Sequence, residues 1–92
     1  MEKAFDWDHQ KNQKLTRDRS ISFEAIVSLI ESGNLISIVS GKGKYVHQKQ
    51  FIIELNKYVY VVPFVEDEHK IFLKTIIPSR KLTKKFLSRG GE

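Results

Sequence analysis

A chain of 92 residues that is 40% hydrophobic, with six Phe, three Tyr and one Trp, has the makings of one small domain, residues 1–92, with a real core. It contains no cysteine, which excludes a disulfide frame and thiolate chemistry and fits a reducing, cytoplasmic setting. The formal net charge of +5 is gathered in residues 41–50 and in residues 70–92, where seven Lys or Arg stand against Glu92 alone, and such clustering favours a polyanionic partner.

Asp8 to Asp18 is polar with few β-branched residues and reads as a short helix capped by Asp6 or Asp8. Leu15 is almost its only apolar anchor, so the body of the domain must hold it. Phe5 and Trp7, just before it, pack a first strand or staple the helix. Phe23, Ile26, Val27 and Ile30 recur at helical spacing behind Ser22 and before Gly33, which predicts a helix over 22–32. Leu35 to Val39 is strand-like, and Gly41 to Lys49 is a polar loop with two glycines. Phe51–Leu55 and Tyr58–Val62 flank Asn56-Lys57, the spacing of a tight hairpin. Pro63 would mark a bulge or strand end, because it cannot donate to a ladder. Glu66 to His69 is an acidic turn, Lys70 to Ile77 a fourth strand, and Ser79 caps a last helix over about 80–87. The order ααββββα predicts an α+β fold: an antiparallel sheet of about four strands, covered by two N-terminal helices and one C-terminal helix.

No apolar run approaches the roughly 20 residues of a membrane span, and the few residues before Trp7 leave no room for a signal peptide. Gly41-Lys-Gly-Lys44 lacks the spacing of a phosphate-binding P-loop. His9, His47 and His69 are widely separated and have no cysteine partner, so neither a metal site nor another cofactor is expected. No nucleophile-elbow motif supports a serine triad. What remains is cationic. From Lys74 onward Arg80, Lys81, Lys84, Lys85 and Arg89 follow without an acidic residue between them. In the loop, Lys42 and Lys44 suit phosphate, and Tyr45 can stack on a base. His47, crowded by lysines, is expected to have a lowered pKa suited to acid–base work.

Two segments together resemble a known family. Phe5, Trp7, Asp8 and Lys11 form an F-x-W-D-x-x-K pattern, followed at matching spacing by Ile21, Phe23 and Glu24. Near the other end stands Ile76-Ile-Pro-Ser-Arg-Lys-Leu-Thr83. The ordered pair resembles the BrnT family of toxins from bacterial type II toxin–antitoxin pairs, over nearly the whole chain. Where that family has His-Gly before its second helix, this chain has Arg19-Ser20. The resemblance implies a RelE-like fold and a small metal-independent endoribonuclease that inhibits translation by cleaving RNA. It also implies a cognate antitoxin of ribbon-helix-helix type that binds DNA as part of the complex. Cleavage of this kind uses the ribose 2′-OH as nucleophile, and the protein must move two protons and stabilise a phosphorane. Arg80 is the candidate for the phosphorane, since a guanidinium binds it in bidentate fashion. Lys11 and Lys49 are acid–base or electrostatic candidates, with His47 as an alternative base. Lys42, Lys44, Lys74 and Arg17 would hold the RNA backbone. Two other classes compete: a non-catalytic RNA- or ribosome-binding module, which would bind RNA without cutting it, and a basic subunit docking an acidic protein, which would not bind RNA at all.

Overall fold

The computed structural model describes residues 3–41, 43 and 48–87. The elements run β1 (Ala4–Trp7), α1 (His9–Arg19), α2 (Phe23–Glu31), β2 (Leu35–Ser40), β3 (Lys49–Leu55), β4 (Tyr58–Glu66), β5 (Lys70–Leu73), β6 (Ile77–Pro78) and α3 (Arg80–Leu87). Asp8 caps α1: its carboxylate accepts from the backbone N–H groups of Gln10 and Lys11, at 2.8 and 3.1 Å. Two of the four donors that a helix start leaves open are thereby satisfied. α1 ends where Ser20 turns left-handed (φ 58°). Ser22 then caps α2 by accepting from the N–H of Ala25 at 3.1 Å.

Asn12 locks the corner between the two helices. It is buried, its side-chain oxygen accepts from the Phe23 N–H at 2.7 Å, and its amide donates to Glu24 at 2.7 Å. α1 buries only Asn12 and Leu15, so this polar contact is a large part of what fixes its position.

The sheet runs β1-β5-β4-β3-β2, with β6 also paired to β4. β2, β3 and β4 form an antiparallel meander. Asn56 and Lys57 both take positive φ (54° and 63°), the backbone of a type I′ hairpin turn, so the tight hairpin forms without a glycine. One face of the sheet, through Phe51, Ile53, Val62, Phe64 and Leu73, closes a core with Leu15, Ile21, Phe23, Ile26 and Ile76. Phe51 stacks on Phe64 with ring centroids 4.0 Å apart, and Trp7 stacks on Phe23 at 5.8 Å. Among the described residues the Trp7 indole N–H is the one buried side-chain group without a hydrogen-bond partner. No described helix is long and apolar enough to cross a membrane.

The observed sheet departs from the expected one in three places. It has six strands rather than four, and it is mixed: the Phe5–Trp7 segment forms β1, which runs parallel to β5 with Phe5 opposite Ile71 and Trp7 opposite Leu73. α1, α2 and the meander lie between these two strands in sequence, the long crossover that a parallel pair requires. The predicted strand from Lys70 to Ile77 breaks after Leu73 and resumes only for Ile77–Pro78. Pro63 lies inside β4, opposite Gln50, rather than at its end.

The last two departures share a cause. Along one side, β4 bonds to β3 from Tyr58 to Phe64. Along the other it changes partner: β5 pairs with Phe64, Val65 and Glu66, and β6 pairs with Tyr60 and Val61. The Pro63 carbonyl accepts from Lys74 N–H at 2.8 Å. In an extended strand a residue's N–H and C=O point the same way, so the donor proline lacks would have faced the gap between β5 and β6. The proline costs the ladder nothing there.

Candidate nucleic-acid interface

The partner change along β4 leaves Thr75 and Ile76 outside the strands, just after the Lys74–Pro63 hydrogen bond, and sets them beside α1. Between them lies an open groove of about 700 Å³. On the helix wall, Asp8, Lys11, Leu15 and Asp18 recur at intervals of three or four residues and so share a face. Lys14 and Arg19 border the same groove. The opposite wall is Thr75, Ile76 and Ile77. Leu15 and Ile76 belong to the core, whereas Ile77 is 44% exposed. The floor is therefore aliphatic and the rim charged.

Both carboxylates on this rim are engaged. Asp8 accepts from the backbone of its own helix, and Asp18 pairs with Arg17 at 3.4 Å. Among the described residues no carboxylate forms an ion pair with Lys11, Lys14, Arg19, Lys74 or Arg80. An anion entering the groove would thus meet three cations that need not first release a partner, Lys11, Lys14 and Arg19, together with the carboxylates of Asp8 and Asp18.

Arg80 is the first residue of α3, two residues after Pro78. Its place is fixed by a small polar lattice. Ser79 caps α3 by accepting from Leu82 N–H at 3.1 Å, and its own N–H donates to the Val59 carbonyl at 2.9 Å. The Thr83 hydroxyl donates to the Ser79 carbonyl at 2.7 Å and accepts from Val59 N–H at 2.8 Å. Val59 is fully buried at the start of β4, so these contacts supply partners to a strand edge that no other strand covers. The guanidinium of Arg80 lies at a helix start, where the backbone dipole favours anions and opposes a cation.

Of the residues anticipated from the sequence, Lys11 lines the groove. Lys74 and Arg80 are exposed but do not line it; Lys74 precedes Thr75 in the chain, and Arg80 comes three residues after Ile77. Arg17 is exposed on α1 and held by Asp18. Lys49 is elsewhere. It stands opposite Phe64, whereas Arg80 follows Pro78, which stands opposite Tyr60. Four residues of strand separate those registers, roughly 13 Å. The Lys49 ammonium donates to Glu66 at 3.0 Å, and Glu66 also receives Lys3 at 3.1 Å. These two donors, Lys49 first, hold the Glu66 carboxyl below its ordinary value. Lys42, Lys44, Tyr45 and His47 lie outside the described residues.

Lys14 and Arg19 were not anticipated. Helical spacing from Lys11 would have found Lys14, three residues on and one turn away. Arg19 joins only because α1 ends beside the strand break, which no local pattern reveals. Among the described residues, no three His, Asp or Glu side chains gather closely enough to hold a metal ion. Comparison with family models, with curated proteins and with solved structures finds no match.

Proposed function

We propose that this chain is the toxin of a bacterial type II toxin–antitoxin pair and acts as a metal-independent endoribonuclease. One observation carries the reading. The Phe5–Lys11 and Ile76–Thr83 segments that resemble the BrnT family stand more than sixty residues apart in sequence, yet both reach a single groove, where Lys11, Lys14 and Arg19 stand with Asp8 and Asp18. Asp8 and Lys11 come from the first segment, Ile76 and Ile77 from the second, and Arg80 opens α3 three residues further along the chain.

In this reading an RNA strand crosses the groove with its backbone on Lys14, Arg19, Lys74 and Arg17. A ribose 2′-OH attacks the adjacent phosphorus, and the bond to the 5′-oxygen breaks. The products are a 2′,3′-cyclic phosphate and a free 5′-hydroxyl. Lys11 serves proton transfer or charge stabilisation at the groove wall. Arg80 binds the equatorial oxygens of the phosphorane, where the N-terminus of α3 adds to its pull. Lys49, held by Glu66, contributes field rather than contact. A cognate antitoxin would cover this surface and silence it.

The test is incubation of the purified protein with single-stranded RNA in chelator, with product ends identified. Cyclic phosphate and 5′-hydroxyl ends are expected. Arg80→Ala should lower the rate by about 10²–10³, the usual effect of losing one charge-stabilising donor. Its melting curve should stay native, because Arg80 is exposed and makes no ion pair among the described residues. Absence of cleavage by soluble, folded wild-type protein would overturn the proposal. Undiminished cleavage by Arg80→Ala would remove Arg80 from the mechanism.

A further inference from the structure

A sheet that does not close on itself has two edges, and the two edges of this one are finished differently. β1 forms one of them. It is short, Ala4–Trp7, and carries Asp6. Ala4 N–H bonds to the His69 carbonyl across the ladder with β5, so the Trp7 N–H, an odd number of residues on, faces outward. There the Asp6 carboxylate accepts it at 2.8 Å. Brevity and a charged side chain are how soluble proteins blunt an edge.

β2 forms the other edge, and among the described residues no strand pairs with its outer side. Its sequence, Leu35-Ile-Ser-Ile-Val-Ser40, has no ionisable residue and no proline, whereas β1, β3, β4 and β5 all carry charge. Ile38 is 52% exposed and Val39 39%. They lie on opposite faces: Ile38 stands opposite the buried Phe51, and Val39 opposite Gln50. The core that buries Phe51 thus ends before the sheet does. Register also sets the polarity of the backbone. Gly41 N–H bonds to Gln48 at 2.8 Å, so Val39 and Ser37 turn their polar groups to β3, and Ile38 and Ser40 turn theirs outward. A register shift between Leu35 and Ser37 confines the regular edge to Ser37–Ser40.

We infer that β2 is a docking edge for the same strand of a second copy of this chain. The two strands run antiparallel about a two-fold axis through Val39. Ile38 of each copy then exchanges both backbone bonds with Ser40 of the other, and the two Val39 side chains meet at a closely spaced pair. Charge selects a second copy over another protein. A chain of net charge +5 draws acidic partners to its cationic stretches, and β2 offers such a partner no cation. An uncharged edge meets its own copy without setting like charges face to face. The pairing also closes. It consumes the unblunted edge of each copy and leaves only β1 at the ends, so the product is a dimer and not a fibre. β3 and β4 separate β2 from β6, so the groove beside α1 stays open in the dimer, and the inference does not rest on the ribonuclease reading.

A strand edge buries less than a standard interface, which makes the association transient. Sedimentation equilibrium of the intact protein over roughly 1–1,000 µM should show monomer converting to dimer with no larger species. Salt should strengthen the association, because it screens two cationic chains. Val39→Lys sets like charges opposite each other and should weaken the dimer about fivefold or more, whereas Val39→Thr should keep it. Val65→Lys alters an equally exposed valine inside β4 and should leave the dimer unchanged. Ser40→Pro removes an outward donor that β3 does not use, so it should abolish the dimer while the melting curve stays native. Amide exchange at Ile38 and Ser40 should slow about fivefold as dimer forms, with Ser37 and Val39 constant. A wild type that stays monomeric over the whole range would leave the edge to a strand of some other protein and overturn the inference. A dimer that survives both Val39→Lys and Ser40→Pro, or that salt weakens, also overturns it. Loss of the dimer in Val65→Lys but not in Val39→Lys would move the contact to the sheet face and overturn it as well. None of these results bears on RNA cleavage.

Discussion

Replacing Asn12 by alanine should destabilise the domain by about 2–3 kcal/mol and weaken the groove. Three contributions set the magnitude. The Phe23 N–H, one of the open donors at the start of α2, loses its acceptor at a buried position, which costs about 1–3 kcal/mol. The bond to Glu24 is also lost, but that carboxylate is exposed and water replaces most of it. A small void is left beside Phe23, which is itself fully buried. For a domain of this length such a loss lowers the melting temperature by roughly 10–20 °C. The assay is urea unfolding followed by circular dichroism, with midpoint and slope fitted separately. Glu24→Gln is the control: it keeps an oxygen that can accept from Asn12 and should cost less than about 1 kcal/mol. A variant within about 0.5 kcal/mol of wild type at unchanged slope would refute the reasoning. α1 has only Leu15 as its other buried anchor, so RNA affinity should fall at temperatures where the domain is still folded. Undiminished affinity there would show that the groove wall does not depend on this corner.

The α3 lattice makes a second prediction: Thr83→Val keeps the shape of the side chain but orphans the buried Val59 N–H, at a cost of about 1–3 kcal/mol, whereas Thr83→Ser should recover most of it. Equal stability of the Val and Ser variants, by denaturant titration, would mean that water reaches Val59. A third concerns pH. Glu66, Glu24, Asp6 and Asp67 all have carboxyl groups held below their ordinary values by hydrogen bonds, from Lys49 and Lys3, from Asn12, from the Trp7 N–H, and from the His69 and Lys70 N–H groups respectively. Because each folded-state value lies below the unfolded one, their stabilisation is complete at neutral pH and is lost as pH falls below 4.5 for the glutamates and 3.8 for the aspartates and on through the folded values. Glu66→Gln should therefore cost only about 0–1 kcal/mol at neutral pH, its partners being half exposed, and should flatten part of the acid limb. An acid limb identical to wild type would show that the Lys3–Glu66–Lys49 cluster is not coupled to folding.

Much of this architecture is written locally. Both N-terminal helices, their caps at Asp8 and Ser22, the Asn56-Lys57 hairpin and the Ser79 cap follow from residues within one or two turns of each other, and the three helices lie within a residue or two of where periodicity places them. Capping and amphipathic spacing act over a few residues, so a sequence displays them. Lys11 and Arg80 were legible as candidates for the same reason, each being a cation in a recognisable segment.

What tertiary structure alone decided is the company these residues keep. The Lys70–Ile77 run has the composition of one strand. It breaks because β4 must bond to β5 at one end and β6 at the other, with Pro63 at the change of partner. That break opens the groove, recruits Arg19 and Ile77, and turns Ile76 into the core. The parallel pairing of β1 with β5 carries α1 to the groove across more than sixty residues of chain. Register between distant strands moved Lys49 to the far end of β4 and gave it to Glu66. Such pairings are chosen by the summed burial and hydrogen bonding of the whole sheet, a quantity that no short stretch of sequence contains.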